Sequence, residues 1–134
     1  MQIDLPQLVK QGLHHLGCDA GLIAKLDGHS AITLDFDQLP SLLITWQDEH
    51  VWFWSRVADY SAAVLAHHSH PILQELMRAD ESILGGHPGL CVTEGMLELR
   101  ALVAPAYLES GEQFGEALSL FFERITSLTQ QIRQ

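Results

Sequence analysis

Lysine is almost missing from this chain. Lys10 and Lys25 are the only two, and Lys and Arg together number 7 against 17 Asp and Glu in 134 residues, a formal charge of −10. Nucleic acids and anionic membrane surfaces are held through Lys and Arg, so this balance argues against both as partners. Cysteine is nearly as scarce. Cys18 and Cys91 stand far apart and outside any CxxC pattern, which excludes a disulfide framework and fits free thiols in a reducing compartment. No apolar run approaches the ~20 residues that a membrane span needs. The N-terminal "MQIDLPQLVKQGL" alternates polar and apolar residues without the apolar core of a secretory signal, so the expected location is the cytoplasm. Repeats, linkers and low-complexity tracts are lacking too, and the length suggests one domain over residues 1–134.

Catalytic patterns are also missing. No G-x-S-x-G or H-E-x-x-H occurs, and "LGGHPG" lacks the Lys-Ser/Thr pair of a phosphate loop. The expectation is a protein that is not an enzyme and needs no cofactor. What the chain does have is 47% hydrophobic and 18% charged residues, enough to bury an ordinary core.

That apolar content is ordered by period. "DLPQLVKQGLHHLG" reads as a helix capped by Asp4, with Pro6 in the first turn, Leu5, Leu8, Val9, Leu13 and Leu16 on one face, and Gly17 as its stop. Residues 21–26 fit a short strand, with a turn at Asp27-Gly28. In "SAITLDF", Ile32, Leu34 and Phe36 share a face, and in "LPSLLITWQ" Leu42, Ile44 and Trp46 form the more apolar side. "DYSAAVLAHHSHPILQELMRAD" has helical spacing, with Ile72, Leu73, Leu76 and Met77 as its stripe. Pro71 requires either a kink or a helix that starts near Ser69. "LCVTEGMLELRALV" is a hairpin turning at Glu94-Gly95. Ser110 and Gln113 form a capping box before a long helix carrying Phe114, Ala117, Leu118, Phe121, Ile125, Leu128 and Ile132. The predicted fold is α+β: an antiparallel twisted sheet with three helices, in the order α-β-β-β-α-β-β-α, with room for one extra early strand.

Eight histidines raise the question of a metal. In "HHSH", His67 and His70 would face one way on a continuous helix, but the proline at 71 disturbs that helix where ligands would sit. The expectation is no metal site. A small metal- or ligand-binding domain using this His-rich segment is kept as the alternative function.

"VWFWSRV" poses the sharper question. Successive strand residues face opposite sides, so Phe53 lies on one face of the sheet and Trp52 and Trp54 on the other. If Asp48-Glu49 is a two-residue turn, Trp46 pairs with Val51, Ile44 with Phe53 and Leu43 with Trp54. A three-residue turn would flip the faces. Either way, bulky apolar side chains are left on a face away from the core, to be covered within the chain or by a protein partner.

Three stretches, in this order, resemble the class IB type III secretion chaperones of the InvB/SpaK family. They are "LVKQGLHHLGCDAGLIAKLDGHSAITLDFDQLPSLLI", "DEHVWFWSRV" and "GMLELRALVAPAYLESGEQFGEAL". Pro71, "HHSH" and "GGHPG" have no counterpart in the family pattern. The resemblance implies a small, acidic, non-enzymatic homodimer in the bacterial cytoplasm. It implies binding to an extended N-terminal segment of one or more secreted effectors, partly as an added strand, and release by the ATPase of the secretion apparatus. By residue, it implies an effector groove at Leu13, Leu16, Ile32, Leu34, Leu42, Ile44 and Trp46. The dimer interface it implies involves Leu73, Leu76, Met77, Leu97, Leu99 and Trp54.

Overall fold

Asp4 opens the first helix, α1 (Leu5–His15), where its carboxylate accepts from the Gln7 amide at 3.2 Å. Pro6 occupies the first turn, where amide donors have no helical partner. The computed structural model describes residues 3–18, 23–26 and 31–133. Leu5, Leu8, Val9 and Leu13 are buried as the periodicity predicts. Leu16 departs from that expectation and is 39% exposed. The helix ends there: the Gly17 and Cys18 amides fold back onto the carbonyls of His14 (3.0 Å) and Leu13 (2.9 Å), a Schellman closure.

Six antiparallel strands follow: β1 (Ile23–Leu26), β2 (Ala31–Phe36), β3 (Leu39–Gln47), β4 (His50–Asp59), β5 (Gly89–Thr93) and β6 (Met96–Leu102). Their spatial order is β1-β2-β3-β4-β6-β5. The early strand allowed at 21–26 is therefore present as β1, while the expected Asp27-Gly28 turn lies outside the described residues.

The β3–β4 register is the one a two-residue turn dictates. Asp48 and Glu49 both take positive φ (54° and 64°), as a type I′ turn requires. Trp46 then pairs with Val51, Ile44 with Phe53 and Leu43 with Trp54. Glu94 and Gly95 turn the second hairpin in the same way, pairing Thr93 with Met96.

Where one middle helix is predicted, two occur: α2 (Ala62–His67) and α3 (Ser69–Met77). His68 leaves helical geometry (φ −111°, ψ 16°) and caps α3, so Pro71 falls in the first turn, where its missing N–H breaks no bond. A 3₁₀ turn (Pro105–Leu108) precedes the last helix, α4 (Gly111–Arg133). Among the described residues the order is α-β-β-β-β-α-α-β-β-α, with four α-helices instead of three.

Ser110 caps α4 by accepting from the Gln113 amide at 3.1 Å. The apolar face of α4 lies on the sheet: the Phe53 ring meets Phe114 at 5.5 Å and Phe121 at 5.6 Å between centroids. Helix packing thus covers the Phe53 side of the sheet, not the tryptophan side.

α1 and α4 cross in close contact at two glycines. A Cβ on Gly115 would stand 2.8 Å from the Gly12 carbonyl oxygen, and one on Gly12 would stand 3.2 Å from the Gly115 amide nitrogen. These are backbone atoms, so neither clash can be relieved by a side-chain rotation. Gly115→Ala is expected to cost about 1–3 kcal/mol by overpacking. Urea unfolding should show this as a lower midpoint at unchanged slope. An unchanged midpoint would mean that the helices separate freely.

Candidate functional site

The open face of the sheet is the first candidate. Trp52 and Trp54 stand on it, both half-buried, beside Leu43 and Thr45 on β3 and opposite Leu102 and Arg100 on β6. A shallow pocket of about 260 Å³ is lined by both indoles together with Gln47, Arg56, Thr93 and Glu98. A second depression lies along Ser41, Leu43, Trp54 and Arg56.

Two ion pairs lie on this face. Arg56 Nη2 meets Glu94 Oε2 at 3.1 Å, and Arg100 Nε donates to Glu98 Oε1 at 3.3 Å. The Glu98 side chain is only 3% exposed, so the Arg100 guanidinium is what keeps its charge compensated. That hydrogen bond raises the Arg100 pKa, against the opposing effect of partial desolvation, and the Glu98 charge adds to it. Two indoles beside balanced ion pairs can take up an apolar partner without repelling one of like net charge. The Arg56 and Arg100 pairs are exposed on the cation side and add little stability themselves.

The second candidate is the outer edge of α2–α3. No residue of α2 is buried, and Leu65 is exposed. On α3 the predicted stripe splits: Ile72 is buried and Leu76 packs against the core, whereas Leu73 and Met77 are 56% and 73% exposed.

The structure does not bring the predicted groove residues together at the surface. Leu13, Ile32, Leu34, Leu42 and Ile44 are all buried in the core beneath the helices. Only Leu16 and Trp46 reach solvent, and Trp46, expected under the helices, is 38% exposed. Of the residues predicted for the dimer interface, Leu97 and Leu99 are core, Leu76 is partly buried, and Leu73, Met77 and the half-buried Trp54 are accessible. Leu97 and Leu99 go inward because β6 alternates, placing them with Ala101 on the helix-covered face and leaving Glu98 and Arg100 on the other.

One feature of the sequence went unread. Arg124 is buried within the apolar face of α4, against Glu75 of α3 and Asp80 of the following turn. The signal was present: position 124 is three residues after Phe121 and four before Leu128, inside the helical stripe where a charge requires a buried partner.

The "HHSH" segment lies at the α2–α3 break, where the His67 and His68 rings meet edge to face at 4.7 Å. Among the described residues, no group of three or more His, Cys, Asp or Glu is arranged to hold a metal ion. Added zinc, or a chelator, should leave the melting temperature unchanged. A stoichiometric metal that shifts it by several degrees would overturn this. No helix among the described residues is long and apolar enough to cross a membrane.

This antiparallel sheet layered by helices recurs in solved structures of type III secretion chaperones. The structure superposes on the Yersinia pestis type III secretion chaperone SycH, solved with a fragment of YscM2, with a TM-score of 0.58 at 13% identity, covering 91% of this chain and 97% of that one. It also matches a chain of the HopA1–SchA chaperone–effector complex, with a TM-score of 0.59 at 14% identity and 94% and 93% coverage. The same fold extends to YbjN, a putative transcription regulator from E. coli (TM-score 0.52, 15% identity, 96% and 87% coverage), so fold alone does not fix function.

Sequence narrows the class. The model of the Invasion protein B family matches residues 17–94. The surface presentation of antigens proteins SpaK of Salmonella typhimurium and Salmonella typhi are each 38% identical to this chain over 120 residues, covering 90% of it and 89% of their own length. The chain belongs to the Invasion protein B family.

Proposed function

We propose that this chain is a cytoplasmic chaperone of type III secretion that acts as a homodimer and holds the extended N-terminal segment of one or more secreted effectors. Residues 1–134 act as one secretion-chaperone domain without catalytic activity. The observation that carries this reading is family membership across most of the chain. The accessible apolar surface is its physical counterpart. An extended client gains little from its own shape, so it needs apolar contacts and free backbone groups at a sheet edge. Leu16 and Trp46 are the accessible members of the client groove, with Leu13, Ile32, Leu34, Leu42 and Ile44 as the packed floor below. β1 and β5, the outer strands, offer the edges at which a client strand can add.

Self-association uses the α2–α3 edge, through Leu73 and Met77, and the open face around Trp54. Leu76, Leu97 and Leu99 support these surfaces from within. A chain with net charge −10 repels its own copy in general, and the Arg56–Glu94 and Arg100–Glu98 pairs on the open face add no net charge to that repulsion. The secretion ATPase is the further partner, taking the loaded complex.

Two measurements test the reading. Sedimentation at micromolar concentration should give twice the 14.9 kDa chain mass, and a clean monomer would remove the homodimer. Co-expression with the N-terminal part of a secreted protein from the source cell should yield a soluble complex, while the folded remainder of that protein should not be retained. Capture of the folded part alone would overturn the client model.

A further inference from the structure

We infer that the buried Arg124 cluster is a latch that positions the α2–α3 segment, and with it the apolar edge at Leu73 and Met77. The functional meaning of that edge rests on the homodimer reading above; the latch itself does not.

Little apolar burial secures this segment. α2 buries no residue, and α3 buries only Ile72 and Glu75. What holds its end is a side chain from α4. Arg124, 1% exposed, donates from Nη1 to the Glu75 carbonyl at 2.9 Å and from Nη2 to the Arg78 carbonyl at 2.7 Å. Glu75 lies in the last turn of α3, where its carbonyl also accepts from the Arg78 amide at 3.3 Å, and Arg78 is the C-cap residue, so a cation there complements the helix dipole. The same guanidinium faces Glu75 Oε1 at 3.5 Å and Asp80 Oδ2 at 3.6 Å.

Both carboxylates are tied in turn. Glu75 accepts from Arg78 Nη2 (3.0 Å) and Ser127 Oγ (3.4 Å), and Asp80 accepts from the amide and hydroxyl of Ser82 (2.8 and 2.7 Å). Gripping Glu75 and Arg78 fixes the rotation of α3 about its axis. Leu73 and Met77, one turn apart on the helix, then face outward. The buried Arg124 Nε makes no hydrogen bond and meets Asp80 through charge alone, at 3.6 Å.

The test is native-state hydrogen exchange on the full chain, paired with sedimentation. In the wild type, amides of α3 and the turn to Gly86 should exchange together through an opening less denaturant-dependent than that of β4 and β6. Merging of both sets into one global isotherm would overturn the latch, and this arm needs no variant. In Arg124→Met combined with Glu75→Gln and Asp80→Asn, which removes the charges together, α3 amides should exchange about 100-fold faster while β4 and β6 amides change less than about fivefold. Dimer dissociation should rise at least about tenfold. Equal acceleration in helix and sheet would assign the cluster a merely structural role, and unaltered association beside faster helix exchange would sever the latch from the dimer edge. Leu73→Ser with Met77→Ser separates the two claims: unchanged association there would sink the interface reading and leave the exchange result to judge the latch.

Discussion

Phe53→Ala is expected to destabilise the fold by about 3–5 kcal/mol, the range for truncating a buried aromatic. Phe53 is 2% exposed and lies between Phe114 and Phe121 of α4, edge-on to the first and tilted to the second. Removing it takes away the transfer free energy of the ring, opens a cavity between sheet and helix, and loses two aromatic contacts of about 0.5–1.5 kcal/mol each, partly counted in the same range. A domain of this size is stable by about 5–15 kcal/mol, so the variant forfeits about a fifth of it or more. Urea unfolding followed by far-UV circular dichroism should show the midpoint falling at constant slope. A loss below about 1 kcal/mol would mean that the cavity collapses and that α4 is not held through this ring.

The register that places Phe53 was one of two the sequence left open, and the structure takes the one with the two-residue turn. Asp48-Glu49 is short and polar between two apolar runs, and a two-residue turn leaves only one pairing for Ile44, Phe53, Leu43 and Trp54. The caps at Asp4 and Ser110 and the hairpin at Glu94-Gly95 were legible because they depend on local chemistry. The family could be read from colinear motifs; the match over residues 17–94 takes in most of the first two, and the third, at 95–118, lies beyond it.

What failed to read was decided by tertiary packing. Periodicity marks Leu13, Ile32, Leu34, Leu42 and Ile44 as apolar but cannot say whether a partner or the chain's own helix covers them. Here α1 and α4 do, and the five side chains are core. The middle helix is different: a start near Ser69 was one of the two courses that Pro71 left open, and it is the one taken, with His68 as the cap. Arg124 stands inside the helical stripe, but its partners Glu75 and Asp80 are far away in sequence and meet it only in the fold.

Trp54→Ala is the complementary experiment, expected to act on association more than on the monomer. Phe53 and Trp54 are neighbours on β4 but lie on opposite faces, and only the Phe53 face carries the helix layer. Trp54 is half-buried by its own sheet, beside Leu43 and Arg100, so truncating it in the isolated chain removes only part of its contacts. If a second copy completes that burial, the loss should appear in the dimer, at about 2–4 kcal/mol for a central interface tryptophan. That corresponds to a rise in the dissociation constant of about 30- to 1000-fold. Sedimentation across a concentration series would read it directly. Melting measured well below the dissociation constant, where both proteins are monomeric, should differ far less than it does for Phe53→Ala. A drop in monomer stability equal to that of Phe53→Ala would mean that the indole is covered within the chain. Unchanged melting and unchanged association, with loss of the bound effector segment, would assign the open sheet face to the client instead of the second copy.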